Sequence, residues 1–424
     1  MHYPDFNSYR ERLQKDAVLP WGFQVATTAL KFGPEGNSGS EPLPMNLALI
    51  RLDEPSPAFA GVFTKNAFPG WPVIAGRELM GAPEAQGVLV NNKVANVGVV
   101  GGLDASRHLT SSMAELLGDK APYFPSSTGV IGWSLPVDDM EKALPSLKNT
   151  LQSDSILPFA EAILTTDGWP KIRSYSCGEG RITAAAKGAG MVGPDMATML
   201  AFFLTDIDIP RNLLRDILTE VVDESFNRIS VDGETSTSDT VLFFSSRRRP
   251  YPGDGVFRGA LEETAMRLAE DVVRNGEGTA HVFRVRVSGA PDVKTAVFLA
   301  RAVVNAPLTK TAVHGNDPNL GRILQALGAA CGRISLALPR NRLTMTIGDI
   351  QVLENACMRL SAEDEKVLSD YFKFSELPIP DPGWPLHEKT VDINLDIGIG
   401  DASASVMGSD LSKEYVEINA AYRT

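Results

Sequence analysis

The run Lys187 to Leu200, KGAGMVGPDMATML, holds the residues of this chain with the most chemical potential. A lysine precedes Gly188 and Gly190, and Gly193-Pro194, Asp195 and Ala197-Thr198 follow. Glycine and proline together force a sharp, non-repetitive backbone path. The apolar run after it, Met199 to Phe203 within MLAFFLTD, has the length and character of a buried strand. Thr198 therefore stands where an irregular loop enters a core strand. Its hydroxyl could attack the Ala197 carbonyl, take the acyl group as an ester, and leave water to cut that ester. The new chain would begin at Thr198 with an α-amine of ordinary pKa roughly 7.7–8.0. Such an amine can serve as base for its own hydroxyl. The plainer alternative is a β-branched residue that only starts a strand.

Other polar segments are spread along the chain. SSTGVIG (Ser126 to Gly132) reads alone as a Ser/Thr turn before a strand. VDGETSTSDT (Val231 to Thr240) is a polar, turn-rich loop ending at a strand. Glu277 sits in NGEGTAH, directly after a helix that Asn275-Gly276 would end. In HGNDPNLGRI, Asp317-Pro318 is suited to cap and start a helix, so a structural role is preferred there over catalysis. Lys187 beside glycines does not make a phosphate-binding loop, because no Lys-Ser or Lys-Thr follows the second glycine.

Taken together and in order, these pieces resemble the ornithine acetyltransferase (ArgJ) family. The matching stretches are AGVFTKN at Ala60 to Asn66, Thr128-Gly129, Thr165-Thr166-Asp167, the Ala-Thr-Met-Leu sequence at Ala197, the box at Val231, Glu277 between two glycines, the Asp317-Pro318-Asn319 segment and the C-terminal DLSKEYVEINAAYRT. Departures from the family pattern are Asp195 for Asn, Ser238 for Asn, Leu320 for Trp, Trp71-Pro72 where Ala-Pro is usual, and NNKVANVGVVGG, which keeps only Ala95-Asn96 of a Ser-Gly-Asn-Ala-Asn signature.

The resemblance implies a self-cleaving enzyme with a mixed α/β fold, helices layered on β-sheets. Cutting between Ala197 and Thr198 would give an α-chain half, 1–197, and a β-chain half, 198–424, interlocked with the active site between them. Thr198 would be the nucleophile of a ping-pong acetyl transfer from N-acetylornithine to glutamate. Thr128 and Gly129 would hold the oxyanion, where each donor is worth roughly 3–4 kcal/mol. Lys187, Glu277, Asn419, Thr424 and a Thr at 165 or 166 would hold the charged ends of the amino-acid substrates. No cofactor is implied, and acetyl-CoA is the alternative acetyl donor. The expected assembly is a heterotetramer of two α and two β chains. Two other readings stay open: a self-processing amidohydrolase, peptidase or acyltransferase acting on another amino-acid-like substrate, and a non-catalytic homologue.

Bulk properties narrow the partners. Asp and Glu outnumber Lys and Arg by 52 to 40 in 424 residues, a net charge of −12 that argues against nucleic-acid binding. Three scattered cysteines and five histidines show no ligand spacing, so neither a zinc site nor a disulfide framework is expected. Free thiols suit a cytoplasmic setting. The charged start, MHYPDFNSYRERLQKD, lacks the apolar core of a signal peptide. No run reaches the roughly 18 apolar residues a membrane span needs.

The elements that must position these residues can be read from periodicity. Strands are expected at Gly22–Leu30, Leu47–Leu52, Ala60–Phe63, Gly87–Asn92, Arg181–Ala186 leading into Lys187, Val241–Phe244 and Phe283–Val287, and alternation continues at Val391–Ile397. Amphipathic helices are expected at 137–151, from Pro210 through Ile229, at Leu261–Asn275 and at about Val293–Val304.

Overall fold

A computed structural model of the protein describes residues 1–33, 41–193 and 199–421. Its mixed α and β architecture is the class that the alternating patterns predict. In chain order the described strands begin with β1 (Phe23–Phe32), β2 (Leu43–Ser56), β3 (Phe59–Phe63), β4 (Ala85–Asn91) and β5 (Tyr123–Ser127). Then come β6 (Lys171–Cys177), β7 (Gly180–Lys187), β8 (Leu200–Ile207), β9 (Ile229–Ser230), β10 (Thr240–Arg249) and β11 (Val282–Ala290). The last are β12 (Thr344–Ile347), β13 (Ile350–Glu354), β14 (Cys357–Met358), β15 (Val391–Asp396) and β16 (Ala402–Ser409). The chain packs as two units.

One unit comprises Tyr9–Asn227 and Thr235–Val272. It contains a four-stranded sheet in the order β1-β2-β4-β5 and a five-stranded sheet in the order β3-β10-β8-β7-β6. Leu47, Leu49 and Leu89 of the first sheet pack with Leu109 and Met113 from the helix Gly102–Leu117 and with Met140, Leu144 and Leu147 from the helix Val137–Asn149. In the second sheet β8 is flanked on both edges, parallel to β10 and antiparallel to β7. All eight of its residues are buried. That explains why LAFFLTDI is nearly unbroken apolar sequence rather than alternating. Phe202 meets the ring of Phe159 edge-on at 5.2 Å, and Phe203 tilts against Phe243 at 5.6 Å. Each large side chain buried here contributes roughly 1.5–3 kcal/mol, so β8 is firmly fixed. Lys187 of β7 and Thr240 of β10 both pair in register with Leu200. The two flanking strands thus bring their ends level with the entrance to β8.

The other unit comprises Met1–Ser8, Arg228–Glu234 and Val273–Thr424, around a seven-stranded sheet in the order β14-β13-β12-β15-β11-β16-β9. Phe283, Val285 and Val287 of β11 face its core, as their alternation with Arg284 and Arg286 predicts. The helices Val293–Val304 and Leu320–Arg333 cover that core. Asp292 caps the first by accepting the Thr295 N–H at 2.7 Å.

Several boundaries differ from the periodicity reading. β2 does not stop at Leu52 but continues through Asp53-Glu54-Pro55 to Ser56. Its register with β4 shifts between Arg51 and Ser56, and this irregularity accommodates a proline that has no N–H to give the ladder. The helix expected from Leu261 begins at Asp254. The helix from Pro210 ends at Glu224, and a 3-10 turn, Phe226–Arg228, separates it from β9. Asp317-Pro318 does not start the next helix. Asn319 is the cap, accepting from the Arg322 N–H at 3.2 Å, while Asp317 Oδ2 accepts from the Asn319 side-chain amide at 3.1 Å. Cys177, Cys331 and Cys357 are free. Among the described residues no helix is long and apolar enough to cross a membrane.

Candidate active site

The geometry around Lys187 gathers several of the expected residues in one unit. Lys187, the last residue of β7, is buried and donates from Nζ to Thr128 Oγ1 at 3.1 Å. Thr128 follows β5 directly, and its own N–H donates to the Asn91 carbonyl of β4 at 3.1 Å. Because the Thr128 oxygen accepts from an ammonium, its hydroxyl hydrogen can point at another acceptor. The next amide but one, Val130 N–H, is committed to Lys93 O at 2.9 Å. Between these two committed amides lies the Gly129 N–H. Gly129 has φ +130, and a Cβ there would meet the Lys93 carbonyl carbon at 2.1 Å, so only glycine fits. A hydroxyl and a backbone N–H on consecutive residues form a donor pair suited to a developing oxyanion.

On the other side of Lys187 lies Asp167. Gly188 N–H donates to its Oδ1 at 2.7 Å, Thr165 N–H to its Oδ2 at 3.2 Å, and Lys171 Nζ pairs with Oδ1 at 2.5 Å. The Asp167 and Lys171 side chains have no exposed surface. Burial alone would raise the Asp167 carboxyl, but the Lys171 and Lys187 charges and the Gly188 N–H hold it well below the usual carboxylate range. Asp167 therefore stays ionised and pins the glycine turn that leaves β7. Thr165 is tied into this arrangement through its backbone, whereas Thr166 is exposed in the same turn.

A second buried acid was not singled out by sequence reasoning. Asp239, immediately before β10, accepts the Met199 N–H through Oδ1 at 2.9 Å. Thr240 N–H closes onto the Met199 carbonyl at 3.2 Å, so Met199 is held on both sides. Burial drives the Asp239 carboxyl well above its ordinary range despite the Met199 N–H, the Thr64 and Ser236 hydroxyls and the Lys187 charge nearby. The clue in the sequence was an acid placed directly before a buried strand, inside the box at Val231.

Two further expected residues meet in the other unit. Glu277 is buried, and Asn419, on the helix Lys413–Ala420, donates from Nδ2 to Glu277 Oε2 at 2.7 Å. Gly278 has φ +63, and a Cβ there would lie 2.5 Å from both Ser412 Oγ and Tyr415 N at the start of that helix. The glycine after Glu277 is thus what lets this turn dock on the helix. Ala197, Thr198 and Thr424 lie outside the described residues.

A sequence profile of the "ArgJ family" matches residues 37–424. The chain is similar to "Arginine biosynthesis bifunctional protein ArgJ" of Rhodococcoides fascians, 34% identical over 98% of this chain and 97% of that protein. The protein of the same description from Gluconobacter oxydans is 37% identical over 87% of this chain and 86% of its own length. Among solved structures, arginine biosynthesis bifunctional protein ArgJ from Bacillus halodurans aligns with 31% identity and a TM-score of 0.45, covering 52% of this chain and 98% of that one.

Proposed function

The chain belongs to the ArgJ family, and on that premise we propose that it is an arginine-biosynthesis acetyltransferase that cuts itself at Ala197-Thr198 and moves acetyl from N-acetylornithine to glutamate through Thr198. The observation that carries this reading is the junction of Lys187, Thr128 and Gly129 level with the entrance to β8.

In the self-cleavage step Thr198 Oγ attacks the Ala197 carbonyl carbon and the C–N bond breaks. The nitrogen leaves as the Thr198 amine, and water hydrolyses the ester to a carboxylate on Ala197 and a free Thr198 hydroxyl. β7 and β8, on either side of the cut, are paired along their length, which supports two fragments that stay joined in one sheet. In the transfer, the Thr198 amine takes the hydroxyl proton as Oγ attacks the acetyl carbon. The oxyanion is received by the Thr128 hydroxyl and the Gly129 N–H. Lys187 keeps that hydroxyl oriented and adds positive charge beside the developing negative charge. The amide C–N bond breaks and ornithine departs with the proton; the glutamate amine then attacks acetyl-Thr198, the ester C–O bond breaks, and the amine proton passes through the Thr198 α-amine back to its hydroxyl oxygen. The Glu277–Asn419 pair offers a carboxylate and an amide, groups that suit the ammonium and carboxylate of an amino acid. Thr165 or Thr166 and Thr424 complete the proposed contacts. Acetyl-CoA as a second donor, a cytoplasmic setting and a heterotetramer of two α and two β chains belong to the same proposal.

The test is an acetyl-transfer assay with labelled N-acetylornithine and glutamate, read with intact mass. Labelled acetylglutamate, and an acetyl adduct on the fragment that begins at Thr198, are expected. If label appears only as free acetate, the enzyme is a hydrolase. If neither adduct nor turnover appears, the proposal fails.

A further inference from the structure

His281, His314 and Asp410 come from three separate segments: just before β11, the end of the helix Pro307–His314, and the residue after β16. One ligand-type atom from each lies within 4.8 Å of the others. His281 Nδ1 is 3.1 Å and His314 Nδ1 is 2.8 Å from the same Asp410 oxygen, Oδ2. His281 and Asp410 have no exposed side-chain surface, while His314 is 36% exposed.

The surroundings orient these groups. Asn316 Oδ1 lies 3.1 Å from His281 Nε2 and is placed to accept a hydrogen from that nitrogen. In the tautomer with its hydrogen on Nε2, the ring presents the Nδ1 lone pair on the side of the Asp410 carboxylate, as a metal ligand requires. Asn316 is held at φ +55, a backbone state that favours few residues other than glycine and asparagine, and this delivers its side chain to the imidazole. Asp410 is oriented in turn: its Oδ1 accepts the Ala280 N–H at 3.0 Å, and its own N–H donates to the His281 carbonyl at 3.0 Å. A histidine whose second nitrogen is bonded to a carbonyl oxygen, and a carboxylate held by a backbone N–H, are the outer contacts that metal ligands usually have.

We propose that His281, His314 and Asp410 bind a divalent transition-metal ion, with Zn2+ the best match to two imidazoles and one carboxylate. Tetrahedral bonds of roughly 2.0–2.1 Å put neighbouring ligand atoms roughly 3.3 Å apart, close to the 3.1 and 2.8 Å that separate the two imidazole nitrogens from Asp410 Oδ2, and the partly exposed His314 ring supplies the remaining adjustment. His314 also lines a cleft of about 790 Å3 bounded by Lys373, Glu376, Ser412 and Glu414. The fourth coordination position therefore opens toward solvent, where water or an anionic group can enter. Lys310, buried and electrostatically coupled to Asp410, opposes added positive charge and keeps the affinity below that of a closed structural site. The ion ties the segment that follows Glu277 to the turn before the helix bearing Asn419.

The experiment is Zn2+ titration of the full chain against a chromophoric chelator, paired with Co2+ absorption spectroscopy. His314→Ala and His281→Gln serve as variants, with circular dichroism of each metal-free protein as the folding check. Expected are one saturable site per chain in the micromolar range or tighter, visible Co2+ bands of a low-symmetry four-coordinate site, and binding weakened at least about 30-fold in His314→Ala. The proposal is overturned if wild-type protein shows no saturable site. It is equally overturned if a folded His314→Ala variant binds as wild type does, because the trio is then a hydrogen-bonded chain of two imidazoles on one carboxylate.

Discussion

Asp239 Oδ1 accepts the backbone N–H of Met199, the residue before β8, at 2.9 Å. Since burial favours the neutral acid here, an amide of the same shape should substitute for it. Asp239→Asn is expected to cut itself to within a few-fold of the wild-type rate. Asp239→Ala leaves a buried N–H unmet, which costs about 1–3 kcal/mol, and should accumulate uncut precursor. Gel densitometry over time after synthesis, with melting curves of both variants, checks this. Equal loss in the two would mean that the negative charge is what matters.

Thr128→Ala removes the hydroxyl proposed as one oxyanion donor, which also accepts from the Lys187 ammonium. A loss of roughly 100–1,000-fold in kcat is expected with little change in KM. Steady-state kinetics on cleaved protein decides it, and a rise in KM alone would assign Thr128 to binding.

Asp167 gives a stability prediction with a definite sign. Its folded-state carboxyl titrates below the unfolded one, so its contribution is present above the ordinary carboxylate range and is lost as pH falls below about 4. Asp167→Asn leaves the fully buried Lys171 without its anion and should destabilise the protein by about 3–5 kcal/mol at neutral pH. Denaturant melts at several pH values should show this gap closing in acid.

His387 behaves oppositely to a gained charge. Burial lowers its pKa to about 4, and both ring nitrogens are engaged in the neutral form, Nε2 donating to Glu376 O and Nδ1 accepting the Lys389 N–H. The unfolded chain takes up the proton first, so stability should fall as pH drops from about 6.5 toward 4. His387→Gln should flatten the melting temperature across that window.

Much of the fold was legible where one pattern dominates. The apolar run of β8, the alternation in β11 and the amphipathic helix Val293–Val304 each depend on local sequence and a single buried face. Site contacts were less legible because they depend on register. Lys187 meets Thr128 across 59 residues, and Asp239 reaches Met199 only because β10 and β8 run parallel in register. Single residues near the glycine turn gave no hint that Asp167 would sit beneath it. Glu277 and Asn419 were found through family resemblance, since a residue near a chain end has no periodic signal. The His281–His314–Asp410 cluster escaped detection because its members are spread over 129 residues with no repeated spacing.

Thr198→Ala should remain a single full-length chain with its melting temperature little changed, and should form no acetyl adduct. A cut Thr198→Ala protein would place the cleavage chemistry elsewhere.

The most direct measurement is N-terminal sequencing of freshly purified wild-type protein after denaturing separation. The account predicts two fragments, one of them beginning Thr198-Met199-Leu200. Finding only full-length chain, in protein that nevertheless makes acetylglutamate, would contradict it.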